Sequence, residues 1–159
     1  MRREPQNRIS MKGLKVWRLY GIMQTAITTL IVAGVAFLTY FFDWPKWIWL
    51  ICIAIPIIDT YVFIYLFPKL RWLRWRYEVS EQEIEIQHGL FIMKRTLVPM
   101  VRVQHVDTEQ GPILRKYNLS SITISTAATI HTIPALEMEE ADELRTRISQ
   151  LARVAEEDV

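Results

Sequence analysis

The residues with the chemistry of general acids and bases are three histidines and a scattered set of carboxylates. His105 and Asp107 lie two positions apart, so in an extended strand their side chains lie on the same face. A hydrolase built on this pair also needs an oriented nucleophile, and no Gly-x-Ser-x-Gly sequence is present. His88 and His131 are distant in sequence, and neither has the spacing of metal ligands. We therefore predict no enzyme, no catalytic residues, no metal and no cofactor.

A single carboxylate within an apolar segment is the sharper candidate. Asp59 is the only charge among the 22 residues between Lys46 and Lys69. A carboxylate at the centre of a membrane helix costs about 3 kcal/mol on insertion scales, so it must face a polar partner or water. One interpretation is an ion or proton relay, or a contact to another subunit. The other is a hydrogen bond to polar residues of the preceding apolar segment, which are Gln24, Thr28 and Thr29. We favour assembly or structure, because two helices cannot enclose a transport path.

Two long apolar runs position this carboxylate. The first run holds 24 uncharged residues between Arg18 and Asp43, and Asp59 alone interrupts the second. At 1.5 Å per residue, each run is long enough to cross about 30 Å of hydrocarbon. We predict transmembrane helices over residues 19–42 and 47–68, joined by a short external loop at residues 43–46. Cys52 is the only cysteine and lies in the second run, so it has no intramolecular disulfide partner.

Basic residues flank the two runs unevenly. The N-terminus, residues 1–18, carries six Lys or Arg, the segment 69–76 carries four, and the loop carries Lys46 alone. This asymmetry predicts a multi-pass protein of the cell membrane with both termini in the cytoplasm. Anionic lipid head groups are attracted to such flanks, although ordinary anchoring of a membrane helix uses the same residues. The candidate head-group ligands are Lys69, Arg71, Arg74 and Arg76.

The net charge differs in sign between the two halves of the chain. Residues 1–76 carry a net charge of +8, and residues 77–159 carry −6. The basic half contains the membrane segments, and the acidic half lacks the clustered Lys and Arg that a phosphate backbone requires. We therefore exclude nucleic acid as a partner.

The pattern after Arg76 is typical of a small cytoplasmic α+β domain, residues 77–155. Ile84 and Ile86 alternate with polar residues in a strand that ends at His88-Gly89. Further strands are predicted at residues 91–99 and 101–108, around Ile122 and Ile124, and at residues 129–133. Residues 110–118 are predicted as a loop or one helical turn. A closing helix over residues 137–155 has an apolar stripe that must pack on the sheets.

Several stretches of this domain match a known family pattern. The opening stretches are Arg76-Tyr77-Glu78-Val79-Ser80, Ile84-Glu85-Ile86-Gln87-His88-Gly89 and Val98-Pro99. The most specific stretches are Arg102-Val103-Gln104-His105-Val106-Asp107, Gln110-Gly111-Pro112-Ile113-Leu114-Arg115 and, after Leu119, Thr126-Ala127. With two preceding membrane helices, the chain resembles the bacterial pleckstrin-homology-like (PH-like) membrane-flanked domain family, the YdbS-like proteins. Asn118 and Ala128 depart from it, since glycine is usual at both positions.

The resemblance implies a seven-strand, two-sheet β-barrel capped by one C-terminal helix. It also implies a partner, a larger membrane protein that carries several copies of the same domain. No catalytic residues come with this family. The predicted fold class is therefore a membrane α-helical hairpin of two transmembrane helices followed by an α+β PH-like barrel.

These observations together predict a non-enzymatic subunit of a membrane complex. The resemblance implies a role in envelope stress or in protection against membrane-active compounds. The alternative is a lipid-sensing or transport-accessory protein that binds anionic membrane lipids through the basic segment 69–76. The sequence leaves open whether the protein forms a homo-oligomer. The candidate partner-docking residues, for which a purely structural corner is an equal alternative, are Gln104, His105, Asp107, Gln110 and Arg115.

Overall fold

The computed structural model describes residues 4–157. These residues form two compact units. The helical unit is Leu14–Leu70, and the sheet unit combines residues 4–13 with residues 71–157.

Two long helices contain the predicted membrane segments. Helix α1 is Lys12–Phe41, and a second continuous helix runs from Trp47 to Arg74. The second helix consists of α2 (Trp47–Thr60), a π-helical turn (Tyr61–Leu66) and α3 (Phe67–Arg74). With 30 and 28 residues, both helices are long and apolar enough to cross a membrane.

The helices of the helical unit come close together at Gly21. A Cβ atom placed on Gly21 would lie 2.3 Å from the carbonyl oxygen of Phe63 in the π-helical turn. The backbones therefore meet without an intervening side chain, as is common where membrane helices pack. Pro56, inside α2, lies just before this irregular turn.

The sheet unit contains two antiparallel sheets. The first has strand order β1-β2-β3-β4 and consists of Asn7–Arg8, Arg76–Val79, Glu83–His88 and Lys94–Pro99. After a 3₁₀ turn (Met100–Arg102), the second has order β5-β6-β7 and consists of Val103–Glu109, Leu119–Thr126 and Ile130–Glu137. Helix α4 is Pro112–Lys116, and α5 is Met138–Glu157. Among the described residues the two sheets are not hydrogen-bonded to each other, so they form an open pair rather than the closed barrel expected.

The core lies between the two sheets and under α5. Ile84, Ile86, Ile122 and Ile124 alternate along β3 and β6 and are at most 2% exposed. Ile148 supplies the buried face of α5, as the apolar stripe predicts. Each such side chain contributes about 1.5–3 kcal/mol when it is fully buried.

The N-terminal segment, predicted only as basic, also contributes a strand to the first sheet. Its residues Asn7 and Arg8 pair with Tyr77 and Arg76, and so form the edge strand of the first sheet. The helical hairpin is therefore inserted between two neighbouring strands of one sheet. A two-residue strand is too short to give a periodic pattern in the sequence. Residues 1–3 of the predicted tail lie outside the described residues.

The same segment connects the two sheets. The backbone N–H of Ser10 donates a 3.1 Å hydrogen bond to the carbonyl of Ala135 in β7. A Cβ atom on Gly13 would lie 2.6 Å from the Cβ of Ala135, which itself has φ +55° at an irregularity of the β6–β7 pairing. The Lys12 ammonium lies 3.1 Å from the Glu137 carboxylate. A backbone hydrogen bond, a close packing contact and an ion pair thus hold Ser10, Lys12 and Gly13 against the second sheet.

Another boundary shifts relative to the sequence prediction. The strand predicted at residues 91–99 begins only at Lys94, because residues 89–93 form the turn that joins β3 to β4. Asn118 has φ +55°, the left-handed conformation that asparagine tolerates in place of glycine.

Candidate functional site

The sheet unit has a cleft at the open edge between the sheets. It has a volume of about 700 Å³ and is lined by the β3–β4 hairpin on one side and β7 on the other. Four basic side chains line the cleft, and these are Arg71, His88, Lys94 and His131. Sequence reasoning considered Arg71, His88 and His131 separately and did not place them together.

Strand pairing explains how these side chains meet. His88 ends β3 and pairs with Lys94 at the start of β4. The ring of His88 stacks on Trp75, with centroids 5.2 Å apart and an angle of 15° between the planes. His131 lies in β7, opposite Ile124 of β6. The cleft therefore combines a residue from the end of the second apolar helix with residues from both sheets.

A threonine turn orients His131. The Nε2 atom of His131 lies 2.9 Å from the hydroxyl of Thr129, which is in turn 3.1 Å from the hydroxyl of Thr126. The Thr126 hydroxyl also accepts hydrogen bonds from the backbone N–H groups of Ala128 and Thr129. Ala128 thus occupies a turn held by threonine side chains, and no left-handed backbone is required there.

The electrostatics of the cleft favour an anion. The pKa of His88 lies below its usual value, first because the ring is partly buried and then because Lys94, Arg71 and His131 are close. No carboxylate lines the cleft within residues 4–157. The cleft is a cationic site in a domain whose net charge is negative. Phosphate and carboxylate groups have the charge and the acceptor atoms that such a site can bind.

Asp59 lies on an apolar face of the helical unit. Its Oδ2 atom is buried and has no hydrogen-bond partner, and the groove around it is formed by Ile55, Ile58, Val62 and Phe63. The structure does not join Asp59 to the threonines of α1. The hydroxyls of Thr28 and Thr29 instead donate to the carbonyls of Gln24 and Thr25, at 3.2 and 2.8 Å.

The four basic residues of segment 69–76 lie in different surroundings. Arg76 forms a 2.8 Å ion pair with Glu4. Arg74 donates through Nη1 to the carbonyl of Leu90 in the β3–β4 turn. Arg71 lines the cleft, and Lys69 is exposed. Helix and strand geometry therefore distribute these charges among four surroundings.

The predicted docking residues lie on or near an edge strand. Gln104, His105 and Asp107 are exposed on β5, the first strand of the second sheet. Gln110 is half-buried and donates a 2.8 Å hydrogen bond to the carbonyl of Leu119, which makes it a structural corner. Arg115 is exposed on α4.

The arrangement of His105 and Asp107 is not that of a catalytic triad. They pair across the ladder with Ser125 and Thr123, and within the described chain no hydrogen bond connects either of them to a nucleophile. No group of three or more potential metal ligands occurs within residues 4–157.

The chain belongs to the bacterial PH-domain family, whose model matches residues 22–152. It is 57% identical over its full 159 residues to the transmembrane protein YdbS of Bacillus subtilis (strain 168), which it also covers completely. It is 25% identical over 83 residues to the transmembrane protein YdbT of the same organism, a match that covers 50% of this chain and 17% of the relative. No solved structure matches it significantly.

These comparisons confirm the YdbS-like PH-domain family and, with the structure, the fold class of two apolar helices followed by two antiparallel sheets and a C-terminal helix. They also show a protein associated with a membrane.

Proposed function

We propose that this protein is a non-enzymatic, membrane-anchored PH-like module that acts as a subunit of a membrane complex. Its partner is a larger membrane protein with repeated PH-like domains. In this proposal the helical hairpin crosses the cell membrane twice with both termini in the cytoplasm, and it pairs with helices of the partner. The family resemblance implies that this complex has a role in envelope stress or in protection against membrane-active compounds.

The observation that carries the proposal is the unsatisfied Oδ2 atom of Asp59. This atom is buried among apolar side chains without a donor. An unsatisfied carboxylate in hydrocarbon is costly, and a donor from a neighbouring helix removes that cost. A partner helix with a hydroxyl, amide or basic side chain at this depth would complete the site.

The match to YdbT supports the choice of partner class. That protein is several times longer than this chain, since the 83-residue match covers 17% of it, and it contains a stretch related to this chain. The exposed edge strand β5 supplies a second surface on which a related domain can add its own strand.

The test is extraction from native membranes in a lipid-retaining polymer, followed by mass spectrometry of what co-purifies. We expect the wild-type chain to bring down a stoichiometric membrane protein, and Asp59→Leu to lose it. Asp59→Asn separates the role of the negative charge from that of the hydrogen-bond acceptor, because the amide still accepts a hydrogen bond but carries no charge. Thr28→Val is the matched control, since its hydroxyl is already bonded to the carbonyl of Gln24. Equal recovery of the partner with Asp59→Leu and with Thr28→Val would contradict the proposal.

The alternative, lipid binding through the whole segment 69–76, has less support. Arg76 is paired with Glu4, and Arg74 is bonded to Leu90. A lipid role for Arg71 depends instead on the cleft it lines.

A further inference from the structure

We propose that two copies of this chain pair in the membrane through one face of helix α1, with Thr25 at the centre of the contact. The proposal rests on the transmembrane hairpin of the proposed function, but it needs neither a donor to Asp59 nor another protein. The face is a groove whose lining includes Thr25, Ala26, Thr29 and Ala33 of α1, which we call the α1 groove. Its occupant is the same face of a second copy.

The hydroxyl of Thr25 is bonded differently from those of the other threonines of α1. Thr28, Thr29 and Thr39 each donate to the carbonyl four residues earlier, at 3.2, 2.8 and 2.8 Å. The Oγ1 atom of Thr25 is buried and has no hydrogen-bond partner within residues 4–157. No water is present in the hydrocarbon core to replace the missing bond, so a neighbouring helix is the available source.

The position of Thr25 allows its hydroxyl to turn towards such a helix. The carbonyl four residues earlier belongs to Gly21, where α1 meets the backbone of Phe63. Threonine in a helix has two accessible side-chain conformations, and bonding to that carbonyl is not compulsory. Because Thr25 lines the α1 groove, rotation about its Cα–Cβ bond directs the hydroxyl to a helix seated there.

The shape of the α1 groove suits a second helix. The groove has a volume of about 520 Å³. Thr25, Thr29 and Ala33 follow each other at four-residue steps, so they form a row along one side of α1. Ala26, Thr29 and Ala33 are exposed. Small side chains in such a row let the backbones of two membrane helices approach closely and form hydrogen bonds across the contact.

Symmetry favours a second copy as the occupant. Two copies that share one topology in one membrane are related by a two-fold axis along the membrane normal, so their α1 helices run parallel. Thr25 then meets its counterpart at the same depth. A hydroxyl both donates and accepts, so the two Thr25 side chains satisfy each other. An ionised carboxylate only accepts, which is why Asp59 requires a different partner.

The α1 groove and the groove around Asp59 are separate surfaces. Ile64 is the residue that the second helix contributes to the α1 groove, and it does not line the groove around Asp59. The two linings have no residue in common among those described. A pair joined through α1 therefore leaves Asp59 of each copy available. The complex then contains two copies of this chain, each with its own partner.

The test is disulfide cross-linking of the full-length chain in membranes. In a Cys52→Ala background, Ala26→Cys places a thiol in the α1 groove beside Thr25. Ile27→Cys is the matched control, because Ile27 is also exposed and lies at nearly the same depth, but does not line the groove. Two cysteines join only when their Cα atoms lie within about 7 Å, so the product reports a close approach of the backbones. Both variants are oxidised in native membranes and, after purification, in phosphatidylcholine vesicles.

We expect Ala26→Cys to give a disulfide-linked dimer in both membranes and Ile27→Cys to give little. Equal yields at the two positions would indicate random collision and would overturn the pairing. A dimer in native membranes alone would also overturn it, because another protein would then hold the two copies together.

The role of the hydroxyl has its own variants in the Ala26→Cys chain. Thr25→Val should lose most of the dimer, and Thr25→Ser should retain it. Thr28→Val should have no effect, since that hydroxyl is already bonded to the carbonyl of Gln24. Equal dimer yields in Thr25→Val and Thr28→Val would overturn the assignment to Thr25.

Two further measurements separate this proposal from the proposed function. The dimer should persist in Asp59→Leu, and its loss there would overturn a pairing independent of Asp59. A membrane-impermeant maleimide should label Trp44→Cys from outside the cell, since Trp44 is exposed between the two helices. Labelling without a dimer overturns the α1 pair alone, whereas no labelling overturns the transmembrane hairpin and both proposals with it.

Discussion

The hydroxyl of Tyr77 donates a 2.6 Å hydrogen bond to Oε1 of Glu140, which joins β2 of the first sheet to the C-terminal helix. Tyr77 is 2% exposed, and its pKa is raised, first by burial and then by the hydrogen bond to Glu140 and its charge. The phenol therefore stays protonated and acts as a donor across the physiological range. One polar bond thus connects two elements that meet across the core.

Replacing Tyr77 by phenylalanine should destabilise the sheet unit. The change leaves the half-buried Glu140 carboxylate without this donor, which costs about 1–3 kcal/mol. Thermal unfolding of the full-length chain in detergent should show a lower Tm. Glu140→Gln keeps an acceptor for the phenol and should lose less. An unchanged Tm for Tyr77→Phe would show that water replaces the bond at no cost.

Gly21 should tolerate no larger residue, because its position faces the backbone of Phe63. Gly21→Val should force the two helices apart and cost about 1–3 kcal/mol, as overpacking does. Gly34→Val is the matched control: it lies in the same helix, where an added Cβ meets nothing within 4 Å, and carries the same change in helix propensity. Resistance of the helical unit to proteolysis in detergent measures the difference. Equal loss in both variants would contradict the close approach.

The stability of the sheet unit should fall in mildly acidic solution because of His88. Its pKa is lower in the folded chain than the usual value of about 6.5, so the unfolded chain binds this proton more readily. The contribution of His88 is complete above about pH 6.5 and is lost as the pH falls through the window below that value. His88→Phe retains a ring to stack on Trp75 but cannot titrate, so its Tm should depend less on pH. If the Tm of the wild type and of His88→Phe depended equally on pH, His88 would not be the cause of the loss of stability in acid.

The elements whose sequence pattern extends over many residues could be predicted from the sequence. Two long apolar runs, the second interrupted only by Asp59, predict the apolar helices, and the alternation of Ile84 and Ile86 predicts β3. The apolar stripe in residues 137–155 predicts α5, and Ile148, which belongs to this stripe, is buried. These patterns repeat over many residues, so the physical cause is visible without coordinates.

The elements that were not predicted depend on contacts between distant residues. The strand β1 has two residues and exists because β2 is beside it. The turn that joins β3 to β4, residues 89–93, has the composition of a strand, and only Gly89 signals that the chain reverses there. The cleft brings His88 and His131 together through the pairing of separate hairpins, which no local spacing encodes.

The position of β1 has a consequence for how the chain is made. This strand precedes both apolar helices in the chain, but its partner β2 follows only after both helices have been synthesised. The pairing of Asn7 with Tyr77 brings the two ends of the hairpin together in one sheet, so both ends must lie on the same side of any membrane that the helices enter. A chain whose hairpin inserts only half-way would leave the edge of β2 and the carbonyl of Ala135 without their partners. Completion of the first sheet thus depends on the placement of both apolar helices, and a chain in which it fails exposes an open strand edge that can pair with other chains.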